Sequence, residues 1–324
     1  MTVPVDMMVL GVDIGGTKVA VAPVDRSGRM SAPALIEPTV SDNTAGFLAG
    51  LQGTLGRALQ TFAGRRLGAI GLACAGTVDS AHGVVVTSPN LPLRDMELGV
   101  RLQEVFDVPV VVENDANAAV WAESVCGAAA GYRHIVMLTL GTGIGGGLVL
   151  DGHPYRGAGG GAAELGHIIV CRDGLQCACG SRGCLEMYAS GQALERYARS
   201  RAGLGEEDVD GMLAHLCEQG CLDGRAVSEL ARQGHPGALA AVSEMAVWLG
   251  AGLVSVANIF NPQVIVVGGG ASNLGDLILE PAARIMREAA LRPNGDQAQV
   301  VRATLGDMAG LVGGGLTAWG FLAR

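Results

Sequence analysis

Twice in this chain an apolar strand runs into a short glycine turn and straight out into another strand, and that arrangement limits the folds open to it. Residues 9–14 form the first run, Gly15-Gly16-Thr17-Lys18 the turn, and residues 19–22 the run that follows. Residues 135–140, the turn Gly141-Thr142-Gly143-Ile144-Gly145-Gly146 and residues 147–150 repeat the scheme. Apolar run, glycine turn, apolar run is the pattern of a β-hairpin, and its recurrence hints at two related halves. Such turns also let several backbone N–H groups converge on an anion with no Cβ in the way. Two better-known phosphate motifs do not fit. Gly11 and Gly16 have P-loop spacing, but Thr17-Lys18 follows in place of Lys and then Ser or Thr, and a strand stands where a helix is needed. Gly141, Gly143 and Gly146 match G-x-G-x-x-G, yet residues 147–150 continue as strand. Two ordinary hairpin turns or two phosphate turns remain, and the threonine in each favours phosphate.

Strand and helix signals alternate along the rest of the chain, the pattern of an α/β protein. Helices are expected over 44–62, from Asn114 or Asp115 to about 130, over 238–260 and 275–290, and from about Ala309. Strands are expected over 67–73, 108–112, 264–267 and 300–305. Residues 203–224 are polar, acidic and glycine-rich and read as a surface excursion. The 324 residues suit two domains. A hinge near Asn117 would separate a smaller domain, 1–117, completed by the last helix at 309–324, from a larger one at 118–308. The 51 glycines follow no collagen period, and a hydrophobic share of 49% excludes disorder. A net charge of −9 argues against nonspecific nucleic-acid binding. The longest apolar stretch, 247–260, is broken by Gly250, Gly252, Ser255 and Asn258 and falls short of the roughly 20 residues a membrane span needs. The N-terminus lacks a signal-peptide pattern, so the eight cysteines point to reduced thiols or metal ligands in a cytoplasm rather than to disulfides.

Three clusters carry chemistry. Asp13 lies inside the first strand run, where a carboxylate needs a partner. Mg²⁺, directly or through water, would supply one; hydrogen bonds from turn amides are the alternative. Residues 110–112 lead into Glu113-Asn114-Asp115-Ala116-Asn117, at the strand end where α/β sheets bind ligands. Asp115 there can accept a proton from a substrate hydroxyl that Asn114 orients, or the pair can simply cap the next helix. His167, Cys177, Cys179 and Cys184 make a Cys₃His set, a usual closed complement for structural zinc; free thiols or a redox pair are the alternatives. Glu164 and Glu186 flank this cluster, either as solvated residues or as carboxylates offered to a polyol.

Together these residues resemble the ROK family of sugar kinases and repressors, within the actin-like ATPase superfamily, from Asp13-Ile14-Gly15-Gly16-Thr17-Lys18 to the glycine-rich C-terminal segment. Among its members the chain looks most like the bacterial ATP-dependent glucokinases. The resemblance implies a two-domain α/β fold of the actin-like (ribonuclease H-like) kind, with an active-site cleft between the domains. It implies a first phosphate loop at Asp13, Gly15, Gly16, Thr17 and Lys18, a second at Gly141, Thr142 and Gly143, and adenosine-binding glycines at Gly268, Gly269 and Gly270. Asp115 would be the catalytic base. Gly76, Asn90, Asn114, Asp115, Glu164, His167 and Glu186 would meet the sugar. His167, Cys177, Cys179 and Cys184 match the family's zinc ligands.

The implied reaction is ATP-dependent phosphorylation of glucose to glucose 6-phosphate with Mg²⁺, in a cytoplasmic homodimer or homotetramer with no nucleic-acid or membrane partner. Two departures bear on which sugar is taken. Ala75-Gly76-Thr77-Val78-Asp79 stands where the family often has Pro-Gly before valine and aspartate, and Leu91-Pro92-Leu93 stands where an aromatic often follows the residue matching Asn90. Kinases for N-acetylmannosamine, N-acetylglucosamine or fructose, and a polyphosphate donor, are the nearer alternatives. A sugar-responsive repressor is the distant one: it would need a helix-turn-helix ahead of Asp13, where this sequence leaves no room.

Overall fold

The computed structural model describes residues 7–208 and 210–323, and the chain divides into two compact units. The first runs to Gly131 and also takes Gly147–Ala162 and the segment from Leu305. The second takes Tyr132–Gly146 and Ala163–Thr304.

The first glycine turn joins β1 (Met7–Ile14) to β2 (Lys18–Val24), an antiparallel pair with Ile14 opposite Val19. β3 (Leu35–Pro38) extends the sheet from β2. Helix α1 (Thr44–Thr61) starts where the Asn43 side chain accepts the Gly46 N–H, the usual satisfaction of an orphan donor. β4 (Arg66–Cys74) runs parallel to β1. Three short strands, β5 (Thr77–Asp79), β6 (Val84–Thr87) and β7 (Arg94–Met96), make a separate antiparallel sheet. After α2 (Leu98–Phe106), β8 (Val110–Asn114) lies parallel to β4, and α3 (Asp115–Cys126) follows without a gap. The sheet order is β3-β2-β1-β4-β8. Leu10, Val12 and Ile14 of β1 pack with Phe47, Leu51 and Leu55 of α1.

The second strand–turn–strand segment is β9 (Ile135–Leu140) and β10 (Ile144–Leu150), with a two-residue partner for β10 in β11 (His153–Pro154). A helical group follows: α4 (Glu186–Ala189), α5 (Gly191–Arg199), α6 (Met212–Glu218), α7 (Gly224–Arg232) and α8 (Pro236–Phe260). β12 (Val264–Gly268) is wholly buried and parallel to β9. Then come α9 (Asp276–Ala289), α10 (Asn294–Gln297) and β13 (Gln299–Arg302), which is parallel to β12. The chain ends in α11 (Ala309–Leu322), part of the first unit.

Helix α8 is the one described helix long and apolar enough to cross a membrane, with 25 residues and a mean hydropathy of 1.7 over its most apolar window. It is longer than the apolar run read from the sequence. Half of that window is buried, with Ala241, Met245, Leu249 and Leu253 inside the second unit, so its apolarity serves a core. Residues 203–224 are also more than a surface excursion. They include α6, the buried Leu213 and the buried Asp208. Burial pushes the Asp208 carboxyl up, but N–H donors from Gly203, Leu213 and Ala214 outweigh it and hold the group below its usual value. His235 caps α8 by accepting the Ala238 N–H at Nδ1, so its proton sits on Nε2, towards Asp210 at 3.1 Å. That tautomer accounts for the Asp208–Asp210–His235 cluster without a metal.

Glycine explains how α11 meets the first sheet. A Cβ at Gly11 would fall 2.2 Å from the Leu311 carbonyl, and one at Gly71 would fall 1.8 Å from that of Gly314. The helix backbone therefore rests directly on β1 and β4. Their other face is covered by α1, so both strands are nearly continuous apolar runs.

Candidate active site

In the first unit, register brings the chemistry to one edge. β1, β4 and β8 are parallel, with Ile14 opposite Cys74 and Cys74 opposite Asn114. Asp13, near the end of β1, and Asp115, just beyond β8, therefore lie at the same edge of the sheet with the end of β4 between them. No hydrogen-bond donor among the described residues reaches the Asp13 carboxylate. Burial, and then the charge of Asp115, push its pKa up to about 6 against the pull of Lys18. The start of α11 comes close, since a Cβ at Gly310 would lie 2.9 Å from Asp13 Oδ1. Lys18 reaches out to the exposed Asp307 at 3.3 Å. Gly15 closes the turn with its N–H on the Lys18 carbonyl at 3.0 Å. Asn90 packs against Gly16, so one expected sugar contact touches the first glycine turn. Thr17 is exposed in that turn.

Both readings of Asn114 and Asp115 hold at once. Asn114 Oδ1 caps α3 by accepting the Asn117 N–H at 2.9 Å. Its Nδ2 donates to Asp115 Oδ1 at 3.0 Å and to the Gly76 carbonyl at 2.9 Å. Asp115, the first residue of α3, also accepts the Ala116 N–H at 2.9 Å. Gly76, Asn114 and Asp115 thus form one hydrogen-bonded set.

The sequence reading assigned nothing to Glu113, yet it organises this corner. Its carboxylate is 2% exposed and pairs with Arg156 Nε at 2.6 Å. It also accepts from Ser80 Oγ at 2.9 Å, the Asn114 N–H at 3.1 Å and Asn117 Nδ2 at 3.4 Å. The available signal was a charge directly after three valines, in a strand otherwise bound for the core.

In the second unit, the Gly141 N–H bonds the Gly143 carbonyl at 2.9 Å, leaving Thr142 exposed at the tip. Two bonds hold this turn from outside. The Gly191 N–H reaches the Gly141 carbonyl at 2.8 Å, and Glu186 Oε2 accepts the Ile144 N–H at 2.9 Å. Gly269 presses against the backbone of Leu140, which brings Gly268, Gly269 and Gly270 beside the same turn. Glu164 is exposed, just before a short 3-10 turn at Leu165–His167, and its carbonyl accepts the His167 N–H at 3.0 Å. Ala163, immediately before it, is held at φ 67°, a left-handed conformation that non-glycine residues adopt at a cost and that is often found at functional sites.

The ligand atoms of His167, Cys177, Cys179 and Cys184 all lie within 4.8 Å of one another. Cys177 Sγ is 3.7 Å from His167 Nδ1, and Cys179 Sγ is 3.6 Å from Cys184 Sγ. All eight cysteines are free, so none of the four is tied up in a disulfide.

Comparison with known proteins places the whole chain. The ROK family model matches residues 9–318. The chain is 40% identical over 311 residues to a glucokinase of Streptomyces coelicolor, covering 94% of this chain and 96% of that one. It is similar to the structure of a ROK family glucokinase from Streptomyces griseus in complex with glucose and AMPPNP, at 40% identity and a TM-score of 0.82, covering 97% and 99% of the two chains. It is also similar to a ROK hexokinase from Thermus thermophilus, at 36% identity and a TM-score of 0.80, covering 98% and 99%. The match over nearly the full length leads to one conclusion: the chain belongs to the ROK family.

Proposed function

We propose that the protein is an ATP-dependent glucose kinase that makes glucose 6-phosphate and ADP. The observation that carries this is the Gly76–Asn114–Asp115 set beside Asp13, in a chain aligned over nearly its whole length with glucokinases. A carboxylate at the start of a helix, aimed by a neighbouring amide, is placed to take a hydroxyl proton. The C6 oxygen of glucose forms the bond to the γ-phosphorus, and the bond from that phosphorus to the β–γ bridging oxygen breaks. ADP leaves, and the proton goes to Asp115. Phosphoryl transfer is mostly positioning and charge stabilisation. Backbone amides of the Gly15–Lys18 and Gly141–Gly143 turns hold the phosphates, and Gly268–Gly270 accommodates the adenosine. Asn90, Glu164, His167 and Glu186 hold the remaining sugar hydroxyls.

Mg²⁺, when bound, neutralises phosphate charge, and Asp13 suits it: a half-buried carboxylate with no donor on it gains from a cation. The Cys₃His set fits zinc, since ligands at about 2.0–2.3 Å from a tetrahedral centre stand roughly 3.3–3.8 Å apart, close to the 3.6 and 3.7 Å separations in this cluster. His167 turns Nδ1 towards Cys177, which leaves Nε2 for a sugar hydroxyl. Phosphorus and carbon NMR of the product tests the reading. Phosphate on the C6 hydroxyl is the expected result; inorganic phosphate alone would make the protein an ATPase instead.

A further inference from the structure

The second phosphate turn is held by a side chain that the family resemblance assigns to the sugar. Glu186 begins α4, two residues after Cys184. Its Oε2 accepts the N–H of Ile144, the residue that follows Gly141-Thr142-Gly143, at 2.9 Å. The fit is close: a Cβ at Gly143 would lie 2.2 Å from that oxygen, so only glycine lets the carboxylate sit there. From the other side, the Gly191 N–H holds the Gly141 carbonyl at 2.8 Å. The turn is thus clasped at both ends by the segment directly behind the cysteine cluster.

We infer that Glu186 is a positioning residue for the nucleotide: its carboxylate fixes the conformation in which the Gly141–Gly143 turn receives phosphate. This rests on the phosphotransfer reading and extends it, because the same carboxylate serves both substrates through different oxygens. Oε2 holds the turn, while Oε1, which is 4.0 Å from Cys177 Sγ, remains for the sugar. Without the clasp, Gly141, Gly143, Gly145 and Gly146 leave the turn a wide choice of conformations. Ordering it would then draw on the nucleotide's own binding energy.

Calorimetric titration of Mg·AMPPNP without sugar tests this, using wild type, Glu186→Asp and Glu186→Gln. Aspartate keeps the charge but is one methylene too short to reach Ile144. Glutamine loses the charge but keeps an oxygen in reach. Both are close in size to glutamate, and circular dichroism checks their folding. We expect aspartate to weaken AMPPNP binding by about tenfold, the effect of losing one charge-assisted hydrogen bond, and glutamine to stay within about threefold of wild type. Both variants should bind glucose more weakly. Equal AMPPNP affinity in all three proteins would leave Glu186 a sugar contact only and overturn the inference. A larger loss with glutamine than with aspartate would overturn it as well, since charge and not reach would then matter. Failure of wild type itself to bind Mg·AMPPNP would instead count against the phosphotransfer reading.

Discussion

The carboxylate of Asp13 feels that of Asp115: after burial, the charge of Asp115 is the strongest influence lifting Asp13 to about 6. Two acids at the ends of β1 and β8, on either side of β4, resist ionising together, and a cation relieves both. The strain has a sign that can be measured. The folded value lies above the ordinary 3.8, so the folded protein holds this proton more tightly than the unfolded chain. The stabilisation is complete below about pH 4 and is lost as pH rises through 6. At pH 8 the ionised Asp13 costs on the order of 2–3 kcal/mol. In Mg²⁺-free buffer, Asp13→Asn is expected to melt higher than wild type at pH 8 and at the same temperature near pH 4. Added Mg²⁺ should raise the wild-type melting temperature at pH 8 and leave the variant unmoved. A difference that does not change with pH would refute the coupling.

Asn114 has two separable tasks, and substitutions divide them. Asn114→Asp keeps an oxygen to cap α3 but puts a second carboxylate where Nδ2 now donates to Asp115. Turnover should fall by about a hundredfold, the scale of a misplaced proton acceptor, and the melting temperature should fall more at pH 8 than near pH 4, because the new carboxylate faces Asp115 and the Gly76 carbonyl. Asn114→Ala loses the cap as well and should cost roughly 1 kcal/mol of stability. Steady-state kinetics and thermal melts on both variants check this. An active Asn114→Asp enzyme would mean that Asp115 needs no aiming.

Part of the fold and of the candidate site was legible in the sequence. Residues 135–140 were expected as a strand and form one, because a valine- and leucine-rich run before a glycine turn has few other options. The start of the last helix at Ala309 was also read correctly. Asn114 and Asp115 were found because they follow a valine run at a strand end, where α/β sheets bind ligands, although the same pair also caps a helix. Glu113 was missed because its partners, Ser80 and Arg156, lie 33 and 43 residues away and meet it only through the fold. Lys18 and Asp307 are 289 residues apart and equally invisible. Strands β5 to β7 are three or four residues long, too short for alternation to register. Polar composition hid Asp208 and α6, since it does not distinguish a solvated carboxylate from one satisfied by backbone amides.

Zinc is testable apart from activity. Elemental analysis of purified protein is expected to give one zinc per chain, and Cys179→Ala close to none. An ion would tie His167 to three cysteines in a segment otherwise held by turn-type backbone bonds such as Val170 N–H to the Gly183 carbonyl, so its loss should expose residues 167–186 to proteolysis. Native protein without zinc, yet resistant to protease there, would remove the metal from the account.

The central claim is that Asp115 moves a sugar proton during phosphate transfer to glucose. ADP release from Mg·ATP should be followed with glucose, fructose, mannose, N-acetylglucosamine and N-acetylmannosamine, each with wild type and with Asp115→Asn. The account predicts strong preference for glucose. It also predicts that turnover in the variant falls by about 10²–10⁴-fold while glucose affinity stays within a few-fold. Turnover by Asp115→Asn close to wild type, or wild-type preference for an N-acetylated sugar, would contradict it.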